Sequence, residues 1–428
     1  MKHLLKIIII IIFTSVSIDL KANTLLDSLN SAFLNNSKLN AERASMRASV
    51  QEKMEAAGEL LPSVTISGYI SDQDNTKGNS ADTNFKPAEQ SLLVEQKIFQ
   101  GFGGVANFEK QKHGQTIGEF KLKKVEQEIL LEAVKAHTEL VLNRKKVNIN
   151  LINMELLERQ VETDQNRLEK GEISLTDLAQ SESSLAGAQA ELIAAQNDLV
   201  TSEANFEKII GKKPSENTEE IIDANLNLPE SLAAANKVSK SENPELQIAF
   251  FEYKQAKLDV VIAGSDLAPS ATLSYEIAEQ DDFSATLADR TQQTVKATAT
   301  WPLFAGGTNI SNLKKTKEIR NQMELLYQDS QKETETNVAN AWSNYQSSKS
   351  VLDSIRSQVK AAEIANEGIT QEYESGTSRT TLEVIQSRKI LLNSRINLAS
   401  SERNYLISQF DLLSSIGRLT ADQLNLKK

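Results

Sequence analysis

The chain of 428 residues contains no cysteine and only three histidines, His3, His113 and His137. The missing cysteine excludes disulfide bonds, thiolate metal sites and a lipid-modified N-terminal cysteine. The histidines do not cluster with ligand spacing, so we expect neither a metal nor a cofactor. No Ser-His-Asp arrangement and no Gly-rich phosphate loop is visible. The net charge of −11 also argues against a nucleic-acid partner. We expect no catalytic residues in this chain.

Proline and aromatic residues are also scarce. The seven prolines leave two proline-free runs, 88–213 and 303–428, and aromatic residues make up 5% of the chain. A low aromatic content is unusual for a compact core and common in long helices. After Gly104 and again after Gly307 the sequence is rich in Glu, Lys, Ala, Leu and Gln. This composition predicts a long helix in each run, the first from about Val105 to about Lys170.

Long apolar runs are missing except near the N-terminus. Lys2, His3 and Lys6 precede or interrupt the apolar stretch 4–13, and a small residue, Ala22, follows it. That pattern predicts a secretory signal peptide over residues 1–22, with an uncleaved anchor as the alternative. No later stretch reaches the roughly 18 apolar residues of a membrane helix. We therefore expect an exported chain without a transmembrane helix.

The sequence contains an internal duplication. Residues 36–64 align with residues 243–271, residues 98–101 align with residues 303–306, and Gly211 aligns with Gly417. A repeat of this length indicates two equivalent halves of one architecture rather than a solenoid of short units. We predict two structural repeats, 23–228 and 229–428.

Each repeat also carries a heptad pattern that ends in a glycine-marked turn. Large residues alternate with small ones at the seam positions of a coiled coil. In the first repeat the large ones are Leu178, Leu185, Leu192, Leu199 and Phe206, and in the second Val384, Leu391, Leu398, Tyr405 and Leu412. Glycine ends helices, and Ser or Thr three residues before an acidic residue begins them. This predicts one helical hairpin per repeat, with tips near 171–177 and 376–383.

The remaining segments alternate apolar and polar residues with period two. They predict four strands, about 62–72, 90–100, 269–280 and 291–304, joined in pairs by polar loops over 71–88 and 280–291. Four strands cannot close a barrel, since about eight are the minimum. Unpaired backbone groups in lipid cost several kcal/mol each. If these strands lie in a membrane, several chains must share one barrel.

These features together resemble the TolC family of outer-membrane export channels. The resemblance covers almost all of the mature chain. Its most specific motifs are Leu-Pro-Ser at 61–63, Ala-Pro-Ser at 268–270, Leu-Phe-Ala-Gly-Gly at 303–307 and the stretch 373–384. It implies a mainly α fold with membrane β: a coiled-coil helical tunnel plus four strands per chain. Three chains would complete a 12-stranded barrel in the outer membrane and a 12-helix periplasmic tunnel.

The resemblance also implies partners. A homotrimer of this kind contacts outer-membrane lipid and works with a periplasmic adaptor (membrane fusion) protein and an inner-membrane ABC or RND-type transporter. Its substrates would be proteins or small toxic compounds. The missing lipid-anchor cysteine favours type I secretion or general export over the lipoprotein efflux subgroup.

The same resemblance assigns candidate site residues. They comprise a periplasmic gate, a constriction, two hairpin tips that contact the adaptor, and aromatic residues at the membrane interface. These are, in that order, Tyr373, Arg379, Thr176 and Asp177; Glu383 and Gln386; Gly171 and Gly376; and Phe99, Trp301 and Phe304. Ser378 lengthens the usual gap before Arg379, and Gln386 stands where the family often has an aspartate. Helix capping by Asp177 and Glu383 is the alternative to a gating role.

A different class of function also fits part of the pattern. A periplasmic structural coiled coil or adaptor without a channel would explain the helices. It would leave unexplained the alternating segments, which recur between helices in both halves.

Overall fold

The computed structural model describes residues 24–75, 83–215, 226–284, 287–375 and 379–426. The predicted signal peptide, residues 1–22, lies outside these residues, as does the predicted tip residue Gly376.

Helices dominate the fold and occur in two matching series. The described residues contain α1 (Leu25–Asn35), α2 (Ser37–Gly58), α3 (Gly103–Glu169), α4 (Leu175–Ile210), α5 (Leu232–Glu242), α6 (Pro244–Ser265), α7 (Thr308–Glu374) and α8 (Thr381–Ser415). The first four are 11, 22, 67 and 36 residues long. The second four are 11, 22, 67 and 35 residues long. These matched lengths support the proposed repeats.

Capping residues set where several helices begin. Asn36 caps α2 by accepting hydrogen bonds from the backbone of Lys38 and Leu39. At the equivalent place in the second series Asn243 caps α6, with Pro244 in its first turn. Asparagine satisfies otherwise unpaired backbone donors, and proline at the first position lacks one of them. None of the described helices has the length and apolarity needed to cross a membrane.

The strands form one four-stranded sheet and one short ribbon within the described residues. They are β1 (Ser63–Ile70), β2 (Gln73–Asn75), β3 (Thr83–Phe85), β4 (Ala88–Gln100), β5 (Ser270–Ser284) and β6 (Leu287–Thr300). The sheet is antiparallel with the order β1-β4-β5-β6, and β2 pairs with β3. Both repeats therefore contribute one hairpin to the same sheet, joined where β4 pairs with β5.

Two details of the strands differ from the sequence prediction. The ribbon of β2 and β3 lies inside the segment predicted as the loop 71–88. The loop predicted over 280–291 is wrong for most of its length, because β5 and β6 stay paired through Gln280–Arg290 and Asp281–Asp289. Ladder hydrogen bonds join backbone groups, so polar side chains do not prevent strand pairing here.

The register of the sheet sorts side chains by polarity. Val64, Val94, Tyr275 and Val295 form one row across all four strands. The adjacent row on the opposite face consists of Ser63, Glu95, Ser274 and Lys296. The sheet therefore has a largely apolar face and a largely polar face.

The chain divides into two compact units, and each unit draws on both repeats. The first unit includes the described residues of 24–32, 133–215 and 355–403. Its core follows the predicted seam, since Leu178, Ser181, Ala188 and Leu192 are buried on one face of α4. The second unit includes the sheet, α2, α5, α6 and residues 404–426. In it Leu412, Leu413, Ile416 and Leu419 are fully or almost fully buried.

Candidate functional site

The first hairpin turns at Gly171, and its second helix, α4, begins after the capping residue Ser174. Gly171 has φ +75°, a left-handed conformation that favours glycine, and ends α3. Ser174 and Asp177 form a capping box: Asp177 N–H donates to Ser174 Oγ at 3.2 Å, and Ser174 N–H donates to Asp177 Oδ2 at 3.0 Å. The predicted cap is confirmed. The hydrogen bonds from Ser174 lower the pKa of Asp177.

The second tip is capped in the same way and carries an ion-pair bridge. Thr380 N–H donates to Glu383 Oε2 at 2.8 Å, and Glu383 N–H donates to Thr380 Oγ1 at 3.3 Å. Arg379 Nε lies 2.6 Å from Glu372 Oε2, and Arg379 Nη1 lies 2.9 Å from Glu383 Oε1. The backbone hydrogen bond from Thr380 and the bond from Arg379 lower the pKa of Glu383. Arg379 thus connects the last turn of α7 to the first turn of α8.

A buried polar cluster joins the two hairpins within the first unit. It consists of Asp164 on α3, Ser181 on α4, Tyr373 on α7 and Thr381 on α8, and we call it the tip cluster. Ser181 Oγ donates to Asp164 Oδ2 at 2.5 Å, and Tyr373 OH donates to Asp164 Oδ1 at 3.2 Å. Tyr373 OH also shares a hydrogen bond with Thr381 Oγ1 at 3.0 Å. Each of the four long helices supplies one member.

Asp164 is the central acceptor of the tip cluster. Its side chain is fully buried, and it also accepts a hydrogen bond from Gln160 Nε2 at 3.0 Å. A buried carboxylate is tolerated only when its oxygens are hydrogen-bonded or paired, and Asp164 meets that condition with three donors. Burial raises the pKa of Tyr373, so its hydroxyl stays protonated and available as a donor.

Two arginines accompany the tip cluster. The guanidinium carbon of Arg167 lies 4.7 Å from the ring centroid of Tyr373, a cation–π arrangement. Burial lowers the pKa of Arg388, although Glu374 and Asp164 partly offset this effect. Arg388 Nη1 has no hydrogen-bond partner within the described part of the chain. Tyr373 thus has the Asp164 carboxylate at its hydroxyl and the Arg167 guanidinium over its ring.

The structure brings some of the predicted gate residues into defined contacts and leaves others exposed. Tyr373 lies in the tip cluster, and Arg379 binds Glu372 and Glu383 of its own tip. Asp177 serves as a cap in the other tip. Thr176 and Gln386 are exposed. Their roles in gating and constriction remain predictions, as does adaptor contact at Gly171 and Gly376.

The predicted interface aromatic residues lie at the end of the strands that adjoins the helices. Trp301 and Phe304 are 62% and 88% exposed, and Trp301 Nε1 donates to the backbone oxygen of Leu267 at 3.1 Å. A bulge between Lys97 and Phe99 places Phe99 opposite Ala271. Phe99 also contacts Phe102 edge-on, with ring centroids 5.4 Å apart.

Sequence reasoning missed Asp164, Arg167 and Glu372. The signal that could have found Asp164 is its register: Leu157, Gln160, Val161 and Asp164 share one buried helical face. A charged residue at a core position of that pattern requires a partner. For metals, no group of three His, Asp or Glu side chains that could hold an ion occurs in the described residues.

Comparisons with known proteins agree with this architecture. The family model described as "Outer membrane efflux protein" matches residues 28–212 and 237–418. The chain is 27% identical over 411 residues to the outer membrane efflux protein BepC of Brucella suis, covering 95% of this chain and 88% of that protein. It is 23% identical to the outer membrane protein TolC of Vibrio cholerae, covering 98% and 96% of the two chains.

Solved structures share the fold. The crystal structure of CusC, studied for changes that accompany folding and transmembrane channel formation, has a TM-score of 0.83. It is 16% identical, and the match covers 92% of each chain. The mainly α fold with a four-stranded sheet is thus that of TolC-like channels.

The family match spans both repeats, with the two hairpins and all four strands of the sheet. The chain therefore belongs to the outer membrane efflux protein family and is an export channel protein of the TolC type, not an enzyme.

Proposed function

We propose that three copies of this chain form one channel in the outer membrane. The shared sheet would close as a 12-stranded barrel, and the long helices would form a 12-helix periplasmic tunnel. The observation that carries this proposal is the open four-stranded sheet, in which β1 and β6 are the outer strands of the described residues.

The apolar face of that sheet supports a lipid environment. Val64, Ile66, Ile70 and Val295 are between 65% and 83% exposed in the single chain. An apolar face of this kind is stable against lipid, yet backbone groups at an unpaired edge would lack partners there. Pairing β6 of one copy with β1 of the next removes every edge. Two copies would supply eight strands, and three copies supply the twelve that the family resemblance implies.

The hairpin tips are proposed as the gate at the periplasmic end. The tip cluster would hold the two hairpins of one chain together from inside. Thr176 and Arg379 are exposed, and we propose that these residues, together with Asp177, would contact a neighbouring copy. Glu383 and Gln386 would then line the constriction.

Transport through the channel requires an energy source in the inner membrane. We infer a periplasmic adaptor that binds the tips near Gly171 and Gly376, and an inner-membrane ABC or RND-type transporter. The chain has no cysteine for a lipid anchor, which favours type I secretion or general export.

Disulfide cross-linking tests the shared barrel, and the cysteine-free chain makes every introduced thiol unique. Ser67→Cys on β1 is combined in turn with Gln292→Cys, Thr294→Cys, Lys296→Cys and Thr298→Cys on β6, all on the polar face. Because barrel shear shifts the register between copies, we expect at least one pair to give covalent dimers and trimers after oxidation.

The single-cysteine variants are the matched controls and should give no covalent trimer. Mass photometry in detergent measures the assembly without cross-links, with a trimer as the expected species. A stable monomer in detergent, together with no cross-linked trimer for any pair, would refute the shared barrel.

A further inference from the structure

The duplication provides a template for the contact between copies. Within one chain, α3 of the first repeat packs against α6 of the second. Because β6 leads into α7 and α2 leads into β1, pairing β6 with β1 of the next copy would bring α7 against α2 of that copy. The helices α3 and α7 correspond from Gly103 and Thr308 onward. The helices α2 and α6 correspond from Ser37 and Pro244 onward. Each contact between α3 and α6 therefore predicts one contact between α7 and α2.

The first such contact is an ion pair. Lys110 Nζ on α3 lies 2.6 Å from Asp259 Oδ1 on α6. The corresponding residues are Lys315 on α7 and Glu52 on α2, which carry the same two charges. Both side chains are exposed, and neither forms an ion pair within the described part of the chain. The lysine and the carboxylate are therefore available to each other in adjacent copies.

A second ion pair recurs with its charges exchanged. Lys124 Nζ on α3 lies 2.9 Å from Glu245 Oε1 on α6. The corresponding residues are Asp329 on α7 and Lys38 on α2, so the signs are reversed and the pair is again attractive. Lys38 Nζ also lies 2.9 Å from Glu128 Oε2 of its own chain. In the assembly Lys38 would thus lie between two carboxylates.

A third position turns from repulsive to attractive. Burial and the neighbouring Lys254 on α6 lower the pKa of His113 on α3, because both effects disfavour its protonated form. The corresponding residues are Glu318 on α7 and Arg47 on α2, and both are exposed. Opposite charges at this position would attract each other across the contact between copies.

Side-chain size is complementary as well. A Cβ atom at Gly103 on α3 would lie 3.0 Å from the Cβ atom of Ser265 on α6, so one side of this contact must be glycine. The corresponding residues are Thr308 on α7 and Gly58 on α2, and the glycine has changed sides. Among the described residues, no atom lies within 4 Å of a Cβ placed at Gly58. That space is open to Thr308 of another copy.

An exposed apolar residue on α7 finds a small partner in the same register. Phe120 on α3 stacks on Phe251 of α6, with ring centroids 6.0 Å apart. The corresponding residues are Leu325, which is 65% exposed in the single chain, and Ala44. Covering Leu325 with α2 of another copy would remove apolar surface from water.

We propose that α7 of one copy packs against α2 of the next copy in the register of α3 against α6, with Lys315 bound to Glu52 of the next copy. This inference rests on the proposed trimer and adds its contact residues. The positions on α7 recur at intervals of seven, three, seven and four residues, which places them on one helical face. They are Thr308, Lys315, Glu318, Leu325 and Asp329.

Disulfide formation tests the register in the full-length protein. In the double variant Thr308→Cys with Gly58→Cys, oxidation should join copies into covalent dimers and trimers on a non-reducing gel. Ile310→Cys with Gly58→Cys is the matched control. Ile310 corresponds to Val105, which is 55% exposed and so does not pack against α6. This control and the single-cysteine variants should give no covalent trimer.

Charge reversal tests the ion pair separately. Lys315→Glu would set two carboxylates against each other at every contact between copies. It should shorten the half-life of the trimer at low salt at least about threefold, measured by mass photometry. Adding Glu52→Lys should restore most of the half-life. Lys317→Glu is the matched control, because Lys317 corresponds to Lys112, which pairs with Glu109 of its own helix at 3.3 Å.

The outcomes separate this inference from the proposed channel. The register is overturned, and the channel is not, if cross-linked β1 and β6 report a trimer while the 308–58 pair stays unlinked. The ion pair is overturned if Glu52→Lys fails to rescue Lys315→Glu in a folded protein. A monomer in every assay would refute the proposed trimer and this contact together.

Discussion

At the scale of single residues, Asp164 matters most for the tip because three donors converge on it. An Asp164→Asn substitution keeps the shape and replaces one acceptor oxygen with an NH₂ group. At least one of the donors Ser181, Tyr373 and Gln160 then faces another donor. We expect a loss of about 1–3 kcal/mol in stability, seen as a lower thermal midpoint by circular dichroism.

Asp198→Asn is the control for this substitution, because Asp198 lies on the exposed face of α4. It should change the midpoint little. An Asp164→Asn protein as stable as the wild type would show that the tip cluster does not hold the hairpins together.

Arg379 and Tyr373 govern the proposed gate through different contacts. Arg379 bridges two exposed carboxylates, so its ion pairs are weakened by salt. Tyr373 holds α7 to Asp164 and Thr381 from inside. The double variant Arg379→Ser with Tyr373→Phe should conduct clearly more than the wild type in planar bilayers, with the single variants between.

Raising the salt concentration should reduce the separate effect of Arg379→Ser, while that of Tyr373→Phe should persist. The gate hypothesis fails if the double variant assembles as a trimer and conducts no more than the wild type. Lys170→Ser is a useful control, since it removes an exposed cation beside the other tip.

At the scale of helices and strands, regular patterns in the sequence were sufficient to predict most elements. The start of α3 is two residues from its predicted position at Val105, and both capping boxes occur where Ser174 and Thr380 indicated. These features depend on residues within a few positions of one another. Local chemistry determines them, so a single sequence contains them.

The tip cluster could not be predicted in the same way. Tyr373 and Asp164 are separated by 209 positions, and their contact depends on how two hairpins pack. In a helix rich in Glu and Lys, one further aspartate resembles a solvated charge. The bulge at Ile98 escaped prediction for a related reason, because apolar alternation continues through it and only strand pairing reveals it.

The junction of α5 with the C-terminal end of the chain should depend on pH. Arg418 donates to Glu242 through Nε at 2.9 Å and Nη2 at 2.7 Å, and this contact lowers the pKa of Glu242 from its ordinary value of 4.5. A carboxyl whose folded-state pKa is depressed stabilises the fold above its unfolded pKa. That stabilisation is lost as the pH falls through the folded-state value.

Glu242→Gln should therefore lower the thermal midpoint by roughly 1–3 °C near pH 7, and the difference should shrink as the pH falls below the ordinary glutamate value of 4.5. Glu335→Gln is the comparison. Glu335 forms an ion pair with Lys240 that is more exposed than the pair of Glu242 with Arg418. A midpoint difference for Glu242→Gln that stays constant from neutral to acid pH would show that the charge of Glu242 is not responsible.

At the scale of the whole molecule, the chain has two similar halves, but each of its two compact units contains residues from both halves. The first unit takes residues 133–215 from one repeat and residues 355–403 from the other. Neither repeat therefore contains a complete unit by itself. A truncated chain that ends near residue 228 would lack half of the tip cluster and half of the sheet.

The export prediction also applies to the whole chain. The mature protein should begin near Asn23, because Ala22 is the small residue best placed after the apolar stretch. Mass spectrometry of the intact protein from membranes measures the N-terminus directly. Met1 on the membrane-bound form would instead indicate an uncleaved anchor. Ala22→Arg should slow processing, whereas Ser28→Ala, beyond the cleavage site, should not.

The equal lengths of α3 and α7, 67 residues each, restrict how this protein can evolve. One inserted residue rotates the rest of a helix by about 100° and advances it by about 1.5 Å, which would turn its buried face toward solvent. An insertion of seven residues restores the heptad but adds about 10 Å to that helix alone. Matched insertions in α3, α4, α7 and α8 would lengthen both hairpins by the same amount. Homologous chains should therefore differ in the length of these four helices by whole heptads, gained or lost in all four together.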